Sequence, residues 1–177
     1  MREPKRIFAY GSLLNEASLR QTVPEARGLY PAKVYGFGRI FNLASHYRFC
    51  PYKKSPVCVL NLEPRSEDSM LNGICFEMDE RSFGALIARE QIYQMHEVTA
   101  HRYNGDGPAQ TAWLFWAKDR KPFRYLEGSE AQRHYLNLCI GGCAVFGAQF
   151  INDFKKSTVF WNIDSESEID RIWLGNY

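Results

Sequence analysis

Glu90 is the residue whose position most plainly calls for chemistry. In the segment DERSFGALIAREQ, residues 79–91, the apolar side chains Phe83, Leu86 and Ile87 repeat at i, i+3 and i+4. The next place on that stripe, i+7, is position 90, and it holds a carboxylate. A helix over 79–91, with Asp79 near its N-cap, directs Glu90 toward the interior. Burial of a carboxyl group without a partner disfavours its charged form and raises its pKa. Such a group can take and return a proton near neutral pH. Two structural alternatives stay open: the helix ends after Ala88, or Glu90 pairs with a buried arginine such as Arg39.

A second feature lies near the start, in IFAYGSLLN, residues 7–15. The apolar run Ile7–Phe8–Ala9 reads as a strand, and it stops at Tyr10, Gly11, Ser12 and Leu13. A strand can simply end at a glycine. A Gly-Ser step after a strand can also turn successive N–H groups outward into an anion-binding nest. A nest and a misplaced carboxylate together suit acid/base chemistry on a small anionic substrate. No G-x-G-x-x-G or P-loop pattern is present, and no Ser-His-Asp order is evident.

The totals narrow the classes further. At 177 residues the chain is expected to be one domain, 1–177. A net charge of +2, with scattered basic pairs, gives no nucleic-acid or membrane footprint. The N-terminus lacks the apolar run of a signal peptide, and a cytoplasmic location is expected. Five cysteines, an odd number, argue against a disulfide framework. Neither they nor the four histidines show metal-ligand spacing, so no metal is expected.

The elements that must position these residues read as strands first, then one helix, more strands and two closing helices. Strands are expected at 6–10, 31–44, 57–62, 70–78, 93–103 and 109–117, with a short helix or turn before Pro24. The prolines at 51 and 56 suggest a loop over 45–56, and 57–62 with 70–78 suggest a hairpin. The segment 104–108 reads as a turn. Helices are expected at 129–140 and 144–156, interrupted by Gly141 and Gly142, with Ser129 and Gln132 as a capping box. Residues 157–177 read as a C-terminal extension packed on the body. This order fits an α+β fold: a small mixed β-barrel or sheet with helices packed outside.

Four blocks resemble the gamma-glutamylcyclotransferase superfamily. They are FAYGSLL (8–14), VYGFGRIFN (34–42), MLNGICFEMDERSFGALIAREQIY (70–93) and HYLNLCIGGCAVFG (134–147). The resemblance implies a cofactor-independent enzyme that cleaves γ-glutamyl amides. The substrate's α-amine attacks its own γ-carbonyl, giving 5-oxoproline and a free amine or amino acid. It assigns Glu90 as general acid/base. It places Tyr10, Gly11, Ser12 and Leu13 on the substrate's α-carboxylate, and Tyr135 in the lining of the site. The chain differs from the family pattern at Gln91 and Ile92, which follow the glutamate, in its early Tyr93, and in its 45–56 segment and tail. The leaving group stays open among an amino acid, cysteinyl-glycine, a lysine ε-amine and another amine, as does the oligomeric state. The alternative is a non-catalytic module of the same fold that binds a small carboxylate or a protein partner.

Overall fold

The computed structural model describes residues 4–105 and 107–175. Residues 1–3, Asp106 of the expected 104–108 turn, and residues 176–177 of the expected extension lie outside them. The strands are β1 (Lys5–Ala9), β2 (Arg27–Tyr35), β3 (Phe37–Cys50), β4 (Ser55–Pro64), β5 (Met70–Met78), β6 (Gln94–Arg102), β7 (Gln110–Trp116) and β8 (Thr158–Phe160). The helices are α1 (Glu16–Thr22), α2 (Glu80–Arg89), α3 (Glu130–Ala144), α4 (Ala148–Lys156) and α5 (Glu166–Leu174). A 3-10 turn, Ser12–Leu14, follows β1.

Five strands close into a mixed barrel in the order β1-β5-β2-β6-β7, with β1 and β7 parallel. The other three form a separate sheet, β4-β3-β8. The fold is the expected α+β arrangement of a small mixed barrel and sheet with helices. One core serves both sheets, and buried Phe8, Phe76, Phe41 and Leu60 belong to it.

The expected single strand 31–44 is two strands, β2 in the barrel and β3 in the second sheet. The break is Gly36, whose φ of +85° turns the chain where a side chain would be strained. The expected hairpin of 57–62 with 70–78 does not form. β4 pairs with β3, whereas β5 pairs with β1 and β2 in the barrel. The expected 45–56 loop is strand through Cys50 and again from Ser55, joined by a short turn at 51–54. Pro51 lies in that turn and Pro56 near the start of β4, so neither interrupts a strand interior. The β3–β4 register shifts between Ala44 and Phe49. Such an irregularity bends a strand and re-aims its side chains.

Gly141 and Gly142 do not interrupt α3, which continues to Ala144. Gly142 instead allows a close approach, because an added Cβ would overlap the backbone of Leu14 and Asn15. The Ser129–Gln132 pair is half a capping box. Ser129 accepts from the Gln132 N–H at 3.2 Å, while the Gln132 amide bonds both the N–H and the carbonyl of Cys58 at 2.8 Å. Part of the expected extension is sheet: β8 runs parallel to β3, with Arg39 opposite Thr158. All five cysteines are free and buried. Among the described residues no helix is long and apolar enough to cross a membrane, and no group of His, Cys, Asp and Glu could hold a metal ion.

Candidate active site

The pocket is assembled from the ends of elements. β1 delivers Tyr10 and Gly11, and Gly11 caps the 3-10 turn of Ser12 and Leu13, its carbonyl accepting from the Leu14 N–H at 2.9 Å. The first N–H groups of such a turn have no acceptor within it. The Gly11 Cα faces Tyr135 of α3: a methyl added there would lie 3.4 Å from the Tyr135 hydroxyl. From the other side, α2 ends at Arg89 and Glu90 is its C-cap, its N–H still bonded to the Leu86 carbonyl at 2.9 Å. The helix therefore lasts just long enough to place Glu90 on the inner face with Phe83 and Leu86. Ile87, expected on that stripe, is 44% exposed instead.

The structure brings all six sequence-selected residues, Tyr10, Gly11, Ser12, Leu13, Glu90 and Tyr135, into the lining of one pocket. Its open space, measured out to solvent, is about 670 Å³. The irregular stretch of β3 adds Ser45, His46 and Tyr47, and the chain after α2 adds Tyr93. The β3 residues are not expected from the sequence, because 45–56, with its two prolines, reads as a loop. The signal for Tyr93 was available: it stands three residues beyond Glu90.

Three phenols set the pocket's character. The Tyr10 hydroxyl donates to the Phe115 carbonyl at 2.5 Å and the Tyr93 hydroxyl to the Leu60 carbonyl at 2.9 Å. The Tyr135 hydroxyl accepts from the Leu60 N–H at 3.2 Å. Burial pushes all three phenols well above their ordinary pKa, and the nearby Glu90 pushes Tyr10 and Tyr93 further. They remain neutral hydrogen-bonding groups at physiological pH. Glu90 is itself held above the usual carboxylate value by burial, against the opposing pull of Arg89 and Arg48. Its side chain is 13% exposed, with one oxygen 3.4 Å from the Arg89 Nε.

Arg39 is not the partner of Glu90. It is fully buried and donates from Nε to the Tyr10 carbonyl at 2.8 Å. Its other donors reach the Asn72 Oδ1 at 3.0 Å, the Ser157 Oγ at 2.6 Å and the Asn72 carbonyl. Its face lies 4.2 Å from the Phe154 ring centroid. The guanidinium thus anchors the backbone at the root of the 10–13 turn and leaves Glu90 for the pocket.

The arrangement of barrel, second sheet and helices has counterparts among solved structures. A gamma-glutamyl cyclotransferase superposes with a TM-score of 0.70 at 15% identity, covering 98% of this chain and 100% of its own. The chain has the gamma-glutamylcyclotransferase-like fold. An uncharacterised human protein matches equally well in shape, with a TM-score of 0.70, 16% identity, and 97% and 98% of the two chains covered. A yeast gamma-glutamyl cyclotransferase specific to glutathione gives a TM-score of 0.62 at 14% identity, over 89% of this chain and 98% of that one. No family model and no curated protein matches the sequence. At these identities the likeness concerns the fold alone.

Proposed function

We propose that the protein is a γ-glutamyl-amide cyclotransferase, a cofactor-independent enzyme releasing 5-oxoproline. The observation that carries this reading is a buried carboxyl group of raised pKa, Glu90, lining the same pocket as the Tyr10–Leu13 turn. The turn's N–H groups receive the substrate's α-carboxylate. The three neutral tyrosines wall the glutamyl chain. Glu90 takes a proton from the substrate's α-ammonium, and the freed nitrogen attacks the γ-carbonyl carbon. The new C–N bond closes the five-membered lactam and the old amide C–N bond breaks. Glu90 returns its proton to the departing nitrogen, and the second proton lost by the attacking nitrogen ends on the released amine. Because the attack is intramolecular, holding the substrate in its near-closed conformation supplies much of the rate enhancement.

The test is 5-oxoproline release from a panel of γ-glutamyl compounds by the wild-type protein and Glu90→Gln. We expect a fall of about 10²–10⁴-fold, the range for general acid/base groups, with the fold retained. Full activity in the variant would refute the assignment. A second reading, a module that binds γ-glutamyl compounds without turning them over, is favoured by one observation: Arg89 lies 3.4 Å from the carboxylate that must exchange protons. Micromolar binding with no release from any compound would select it.

A further inference from the structure

A second, wider groove adjoins the pocket. Its open space, measured out to solvent, is about 1240 Å³, and Tyr47 lines both cavities. Its aromatic wall is the β3–β4 hairpin, where Tyr47, Phe49 and Tyr52 are 57%, 56% and 91% exposed. Its floor carries Arg48, Arg133 and His134, with Glu130 as the acid among its described lining residues. Arg48 makes no ion pair among the described residues. It instead lies over the rings of Tyr47 and Tyr135, 5.4 and 5.3 Å from their centroids.

Resting on the reading above, we propose that this groove receives the leaving half of the substrate, and that this half is an aromatic amine bearing a carboxylate. A γ-glutamyl group in the first pocket has its α-end at the Tyr10–Leu13 turn, so the substituent on its amide nitrogen must leave through the mouth. Exposed Tyr47 lines both this pocket and the groove. Exposed aromatic side chains gathered at one edge of a cleft favour an aromatic ring, which they contact by offset or edge-on stacking. The Arg133 guanidinium is held at the end of α5, donating to the Ile172 carbonyl at 2.6 Å, so the cation offered to the groove is Arg48, whose planar guanidinium, in no salt bridge among the described residues, matches a carboxylate. The groove thus selects amides of aromatic amino acids over those of small amino acids or of uncharged aromatic amines.

The experiment separates this selection from turnover. Affinities of γ-glutamyl-phenylalanine, γ-glutamyl-alanine and γ-glutamyl-phenethylamide are measured by calorimetry on the full-length Glu90→Gln protein, and 5-oxoproline release on the wild type. The phenylalanine compound should bind about tenfold more tightly than the alanine compound, the scale of one or two ring contacts. It should also bind several-fold more tightly than the phenethylamide, which lacks the carboxylate. Phe49→Ala should bring the first ratio toward one. Arg48→Gln should bring the second toward one, and Arg48→Lys should keep part of it. Equal affinities for all three compounds, or ratios unmoved by these variants, overturn the proposal. If the ratios appear but the wild type releases no 5-oxoproline, the groove stands and the cyclisation falls. If release proceeds without preference or binding ratio, the cyclisation stands and the groove falls.

Discussion

Replacing Arg39 with methionine tests how the site is held. The substitution keeps an unbranched apolar stem against Phe154 but removes every donor. Four acceptors then lose their guanidinium partner: the Tyr10 and Asn72 carbonyls, the Asn72 Oδ1 and the Ser157 Oγ. The Ser157 hydroxyl keeps its bond to the Phe154 carbonyl at 3.1 Å, so its loss is partial. Each remaining buried acceptor left without a donor costs about 1–3 kcal/mol. Relief from burying a cation offsets some of this, since burial pushes the Arg39 pKa down to about 10. The net expectation is a loss of about 3–5 kcal/mol, as for other buried ionic networks broken on one side. For a chain of this size that lowers Tm by on the order of 10 °C. Urea unfolding followed by circular dichroism would show a lower midpoint at unchanged slope. Arg39→Lys, which keeps the charge and some donors, should fall between. A loss under about 1 kcal/mol in the methionine variant, on the same energy scale, would refute the reasoning that these acceptors depend on Arg39.

Glu90 gives a pH signature. Its folded pKa lies above its unfolded value, so between the two values the folded chain holds a proton the unfolded chain has released, and stability falls as pH rises through that window. Glu90→Gln should therefore melt higher than wild type at neutral pH and alike below the window; a lower melting point at neutral pH would contradict the burial argument. In the wild type, kcat/KM should rise with pH along a limb displaced above the ordinary carboxylate range, and a limb at the ordinary value would count against Glu90 as the base. Gly142→Ala should destabilise by about 1–3 kcal/mol through overlap with the Leu14–Asn15 backbone, despite alanine's better helix propensity; a rise in Tm would show that α3 and the turn are not tightly seated. Among the thiols, Cys50 should alkylate first. A hydrogen bond from Ser129 lowers its pKa, whereas burial pushes Cys75 up to about 11 and Cys58, Cys139 and Cys143 up to about 12. Mass spectrometry after limited iodoacetamide treatment would check the order.

Glu90 was legible because helical periodicity survives a single misassigned position: Phe83 and Leu86 suffice to fix the inner face even though Ile87 points outward. The turn at Tyr10–Leu13 was legible because a glycine after an apolar run is local information. Sheet membership was not. The segments 57–62 and 70–78 look like hairpin partners, yet each finds its ladder elsewhere, and only the packing of two sheets on one core decides that. The prolines at 51 and 56 suggested a loop because the sequence does not say that both stand at strand ends. Gly141 and Gly142 suggested a helix break because propensity cannot show that Leu14 lies against the helix. The β3 contribution to the pocket was hidden for the same reason: a register shift depends on both strands and on neither alone.

Arg39 has a consequence for the order in which the molecule can assemble. It joins residues 10, 72 and 157, and its bond to Ser157 spans 118 positions of sequence. A chain emerging from the ribosome can close the barrel once β7 is out, but the guanidinium beneath the 10–13 turn still lacks its distal acceptor. Contacts of such long range form slowly, since loop closure precedes their reward. The turn at residues 10–13 is therefore fully anchored only late in synthesis, when residues 157–160 dock beside β3, and a chain arrested before that point would hold a barrel with the turn incompletely secured.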